Sequence, residues 1–181
     1  MIDSLREPAN VLRARLLMEL DSSARLFPAD GWIAGQRTRF YLDQEDVRGA
    51  LAAARSCQGE RWWCQALLGY VNARTTQLWS ADSLFVEMRT VMPREKRCAW
   101  EDLSNLLAPS ERKMYLELSC DARIATNTRL WWLADPLLRT HANEFIVEHE
   151  MRRVGFTLRV DVGQVNVLRG WRRTAVMSSR K

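Results

Sequence analysis

The chain has 181 residues, with 27 basic and 22 acidic side chains, a net charge of +5 and 47% hydrophobic residues. That length supports one domain with a true core or two small abutting ones. No apolar run approaches the about 20 residues a membrane helix needs, and Asp3, Glu7 and Glu19 interrupt the apolar region that a signal peptide requires.

Charge is uneven along the chain. From Met151 to Lys181 there are eight basic residues against the single acid Asp161, which leaves 19 basic and 21 acidic side chains in the first 150 residues. Basicity is therefore a property of the C-terminal end, which can meet phosphate or an acidic surface, or can be a solvated terminus. The compartment stays open, because a cytoplasmic protein and the body of a longer precursor both fit this N-terminus.

Helical periodicity dominates from the start. Residues 9–26 place Val11, Leu12, Leu16, Leu20 and Ala24 on one face. Phe27-Pro28 breaks that helix, and Asp30 is the expected N-cap of the next, residues 31–42. Trp32, Ala34, Arg37 and Tyr41 line this helix, and Ala50, Ala54 and Cys57 the one after it. Gln58-Gly59 reads as a turn. A third helical pair follows, carrying Leu68-Gly69, Ala81, Phe85 and Pro93.

These residues resemble tetratricopeptide repeats over about 31–93, with residues 9–28 reading as the second helix of a preceding unit. The resemblance implies that Gly69 lets two helices approach, that Ala81 sits where they cross, that Phe85 fills the space towards the next pair, and that Pro93 stops the helix. It departs from the family at Gln65, where a tryptophan is usual, and at Asn72, where an aromatic is usual. First helices line the inner face of such arrays, so Trp32, Gln36, Arg39, Gln65 and Asn72 are the implied partner-binding residues.

After Pro93 the pattern changes. Glu101–Ser104 reads as a short helical or irregular link, and Ser110 as the N-cap of a helix over 110–121 with Met114, Tyr115 and Leu118 on one face. Leu130, Trp131, Trp132 and Leu133 form an apolar cluster that must be buried or meet a partner. Asp135-Pro136 ends that segment. Thr140 is placed to cap a long helix over 141–160.

The stretch from Ser110 to Val154 resembles the start of the GWxTD domain, a bacterial family of unknown activity, through Glu111-Arg112, Trp132, Asp135-Pro136, Thr140, Asn143-Glu144-Phe145, Glu148-His149 and Arg152-Arg153-Val154. The Gly-Trp-x-Thr-Asp element itself is missing, since Gly170-Trp171 is followed by Arg172-Arg173-Thr174-Ala175. Helical repeats joined to such a segment resemble bacterial, often exported, proteins.

Constellations with chemistry are sparse. His141, Glu144 and Glu148 share a helical face, but no HExxH or second Glu-x-x-His completes a metal site. The same face reads as solvated Glu/Arg pairs, or as a structural lock in which Asp135, Asn143, Glu144 and Arg152 bond internally. No serine stands in a nucleophile elbow and no glycine-rich phosphate loop occurs. Cys120 reads as a packing residue. Cys57 and Cys64 flank a turn and could pair, although small buried thiols are the blander reading. Eight tryptophans, six of them between Trp62 and Trp132, fit helix packing or a binding surface.

The expectation is an all-α protein in which TPR-like helical hairpins (9–93) are capped by a C-terminal helical segment (94–160) and followed by a basic, disordered tail (161–181). The expected function is non-enzymatic protein–protein interaction, with no catalytic residue, metal or cofactor. The alternative is a basic binder of nucleic acid or acidic partners through Arg169, Arg172, Arg173 and Lys181, which steep salt dependence would distinguish.

Overall fold

A computed structural model describes residues 3–135 and 142–160, with side chains from residue 10 onward. Among the described residues the fold is all-α, with no strand. The predicted basic tail lies outside them, as do Pro136, Thr140 and His141. The chain divides into two compact units, one drawn from residues up to Gly59 and from Met151 onward, the other from Glu60–Glu150.

The first unit holds α1 (Asp3–Leu26), α2 (Gly31–Asp43) and α3 (Val47–Arg55), with α2 packed on both of the others. Asp30 caps α2 as expected, its Oδ1 accepting from the amides of Trp32 (2.8 Å) and Ile33 (3.1 Å). Asp46 caps α3 through the amide of Gly49. The inward face of α1 differs from the expected one. Leu17 and Leu20 are buried, whereas Val11, Leu12 and Leu16 are exposed. Asp21 explains the rotation. One turn beyond Leu17, it accepts from Arg37 Nε and from the Tyr41 hydroxyl, both at 2.7 Å, and so turns its own side of α1 towards α2. Donating to that carboxylate, with burial and its charge acting the same way, holds the Tyr41 phenol above its ordinary value.

The second unit holds α4 (Arg61–Arg74), α5 (Leu78–Val91), α6 (Arg94–Trp100), a 3-10 turn (Ser104–Leu106), α7 (Pro109–Glu117) and α8 (Cys120–Ala134). The last described helix, α9, covers residues 144–160; its first seven residues belong to this unit and the rest to the first. α4 and α5 form a tight hairpin. Ala81 and Phe85 are buried, and a β-carbon on Gly69 would lie 2.6 Å from Phe85 Cε1, so the ring packs on the glycine within this hairpin. α5 stops at Val91, and Pro93 stands just before α6 as its N-cap residue.

The α2–α3 and α4–α5 hairpins close by the same device. Glu45 (φ 61°) and Thr76 (φ 60°) stand in the left-handed region, and Asp46 and Gln77 donate to the carbonyls of Tyr41 (3.0 Å) and Asn72 (2.9 Å). This is a Schellman-type ending with side chains where glycine is usual, a conformation that costs about 1–2 kcal/mol. The two turns lie 31 positions apart (Glu45 to Thr76), against about 34 in a tetratricopeptide repeat.

Boundaries after Pro93 differ from the sequence-based ones. α6 was not foreseen. Ser110 does not cap α7, because Pro109, with its fixed φ, takes the first helical position and Ala108 precedes it. The expected 110–121 helix breaks at Leu118–Ser119, where Ser119 Oγ accepts from the amide of Ala122 and starts α8. Asn143 caps α9, its Oδ1 accepting from the amide of Ile146 at 3.0 Å.

No cysteine of the chain is free. Cys98 of α6 is bonded to Cys120 of α8, with α-carbons 5.6 Å apart, and Cys57 and Cys64 are also disulfide-bonded. The thiol readings of Cys57, Cys64 and Cys120 are therefore replaced by disulfides.

Candidate functional site

The residues singled out from the repeat resemblance are mostly engaged internally. Gln36 is 1% exposed, and its Nε2 donates to the carbonyl of Leu158 at 2.9 Å; Arg39 reaches the same carbonyl at 3.3 Å and pairs with Asp43. Asn72 donates to the carbonyl of Leu68 on its own helix, and Gln65 Oε1 is buried with no donor in reach among the described residues. Trp32 remains partly exposed. Of the five, Gln36 and Arg39 thus join α2 to α9, Asn72 bonds within its own helix, and Trp32 alone stands open.

The second unit contains a cavity of about 340 Å³ bounded by α5, α6, α8 and the start of α9. Trp100, Trp131 and Trp132 supply aromatic wall; Asp82, Glu101, Asp135 and Glu150 supply carboxylates; Arg89 and Arg97 supply guanidiniums. Both arginines are engaged within the wall, Arg89 with Glu150 at 3.0 Å and Arg97 with Glu101 at 2.5 Å. Glu150, only 3% exposed, also accepts from the indole of Trp100 at 2.6 Å, so one carboxylate joins α5, α6 and α9.

The floor is fixed by a buried polar chain. Asn127 Nδ2 donates to the Glu101 carbonyl at 2.6 Å, its Oδ1 lies 3.1 Å from the Tyr115 hydroxyl, and that hydroxyl accepts from the Leu103 amide at 3.2 Å. Asn143 Nδ2 donates to the carbonyl of Trp131 at 2.6 Å, which ties the end of α8 to the start of α9. Of the lock residues, Asn143 and Asp135 thus meet at this cavity. Glu144 is half-buried near it, and Arg152 stands exposed in the first unit. His149 lies 5.0 Å from the Trp131 ring, centroid to centroid, while Glu148 is exposed. Among the described residues no group of three or more His, Cys, Asp or Glu could hold a metal ion.

No protein-family model, curated protein or solved structure matches this chain.

The tandem tryptophans divide as a helix dictates, with neighbours about 100° apart. Trp63 is buried and Trp62 half-buried; Trp62 stacks edge-on with Trp63 and Trp100 and carries Lys96 5.4 Å from its ring. Trp131 is half-buried, and Trp132 is 66% exposed beside Leu133 at 71%. The apolar cluster expected to be buried or to meet a partner is thus left open at its outer half.

Asp82 gives a pH signature. Burial pushes its carboxyl above the ordinary 3.8, Asp135 and Glu144 push the same way, and Arg89 opposes them. The folded chain therefore holds this proton more tightly than the unfolded chain. Its contribution to stability falls as pH rises from about 3.8 through the raised folded value, and is constant above it. Asp82→Asn has no such proton. Urea midpoints taken at rising pH from the ordinary carboxyl value of 3.8 upward should show the Asn variant gaining on wild type. A constant difference would remove Asp82 from the account.

Proposed function

We propose that the chain is a non-enzymatic binding module, and that it engages a protein or peptide partner at the α8 rim of the second unit. The observation that carries this reading is the open Trp132-Leu133 pair at the cavity. A large indole left two-thirds exposed beside an aromatic-walled recess has the character of an interface anchor. Arg89, Arg97, Glu101 and Glu150 around the recess are tied into ion pairs and an indole contact, which suits recognition by shape and charge better than proton transfer. No described helix is long and apolar enough to cross a membrane.

A phage-displayed peptide selection on the intact chain tests the reading. Peptides should be enriched by the wild type and lost by the Trp132→Ala/Leu133→Ala variant, with thermal unfolding of the two chains unchanged. Failure to enrich any peptide, or enrichment indifferent to the double substitution, would count against it.

A further inference from the structure

We propose that α1 of the first unit docks antiparallel against α1 of a second copy of this chain. The contact is made by Leu12 and Leu16, with Arg15 of each copy pairing with Glu19 of the other.

The apolar part follows from length. α1 has 24 residues and α2 has 13, so at about 1.5 Å per residue the second helix spans little more than half of the first. One stripe of leucines, at successive four-residue steps, shows where the cover runs out: Leu20 is 6% exposed, Leu16 40% and Leu12 66%. Every residue from Asn10 to Leu16 is exposed. A helical segment of about two turns draws little stability from its own hydrogen bonds and is held mainly by packing of its apolar face. Leu12 and Leu16 therefore present a face that a further helix covers.

The charges select a copy of the same helix. Arg15 and Glu19 are exposed and flank the leucine stripe on the side away from Leu17 and Asp21. They stand four apart with the basic residue first, the weaker order for an ion pair within one helix. Among the described residues neither one makes an ion pair. In an antiparallel pair with its two-fold axis near Leu16, Arg15 of each copy lies within about one helical turn of Glu19 of the other, on the same side of the seam. A parallel pair puts these residues on opposite sides of the seam and loses the exchange. The surface is thus matched by itself reversed, as an isologous contact requires.

Sedimentation equilibrium of the intact chain is the test. Contact over a few helical turns buries less than about 1,200 Å², so a weak dimer is expected, its mass rising from one chain to two between roughly 10 and 500 µM. Its dissociation constant should rise several-fold between about 0.05 and 0.5 M salt. Arg15→Glu and Glu19→Arg should each weaken the dimer at least about tenfold, because each sets like charges against each other across the seam. Mixed in equal amounts, the two variants should recover the wild-type dissociation constant to within about threefold, since a chain with two acids then meets a chain with two bases. Leu12→Ser/Leu16→Ser should stay monomeric over the same range. All four side chains are exposed, so thermal unfolding by circular dichroism should match wild type. A wild type that is monomeric throughout would overturn the proposal and leave the stripe to another segment of the chain or to a different partner. A dimer strengthened by salt, a dimer indifferent to both charge reversals, or a mixture of the two folded variants that stays monomeric would each overturn it as well. The wild-type mass and its salt dependence need no variant, so they decide even where a variant fails to fold.

Discussion

Replacing Glu150 with alanine is expected to destabilise the chain by about 3–5 kcal/mol. The carboxylate side chain is 4% exposed and faces an Arg89 side chain that is 14% exposed, at 3.0 Å. Its second oxygen accepts from the Trp100 indole. Truncation leaves the guanidinium buried without that carboxylate and deprives the indole N–H of its acceptor. The loss exceeds the net worth of the pair, because an uncompensated buried charge carries its full desolvation cost. Glu150→Gln keeps shape and an acceptor, so it should cost less than the alanine. The informative variant is Arg89→Met with Glu150→Leu, which removes both charges and should recover most of the loss. Urea unfolding of the four chains checks this. A double variant no better than Glu150→Ala would mean that the carboxylate's other contacts, not its charge balance with Arg89, hold α9 in place.

Phe85→Ala is expected to cost about 3–5 kcal/mol as well, for a different reason. The side chain is 1% exposed, and its ring lies over the bare α-carbon of Gly69, so its removal leaves a void that the α4–α5 hairpin cannot refill without shifting. The reciprocal change, Gly69→Ala, puts a methyl 2.6 Å from the ring and should cost about 1–3 kcal/mol by overpacking. Because ring and glycine fill one space, the effects should not add. Combined with Phe85→Leu, Gly69→Ala should cost less than the two single changes together. Additive losses would show that the ring is held elsewhere. Since α5 also carries Asp82 and Arg89, Phe85→Ala should blunt binding at the cavity before it abolishes folding.

The contrast between these two sites shows what the sequence could and could not disclose. The α4–α5 hairpin was legible because its signals are local: a glycine, a small residue, an aromatic and a proline at helical spacing. The Asp30 cap and the all-α class were legible for the same reason. Glu150 was not, because its importance depends on residues 50 and 61 positions away. One signal was present. Val147, Glu150, Val154 and Leu158 form a single stripe at three- and four-residue spacing, all buried, so Glu150 is an acid on an apolar face. Glu144 and Glu148, four positions apart, lie off that stripe on a more polar face of the helix. Tyr115 and Asn127 were hidden likewise, since a hydrogen bond between α7 and α8 leaves no trace in either helix alone. Pro109 in the first helical position shifts the start of α7 away from Ser110, and the break before Ser119 follows from a cap that a continuous helical periodicity does not reveal. The disulfide between Cys98 and Cys120 spans 22 positions, a separation no spacing rule singles out.

The carbonyl of Leu158, gripped by Gln36 and Arg39, has a bearing on how the chain is made. A ribosome delivers residues in order, at about 5–20 per second, and domains generally fold as they emerge. Here the earlier unit cannot finish until its residues 151–160 have been synthesised, which happens only after the whole of Glu60–Glu150. The middle of the chain is the part that can mature first. Until residue 158 clears the exit tunnel, the amide of Gln36 waits on the nascent chain without its acceptor.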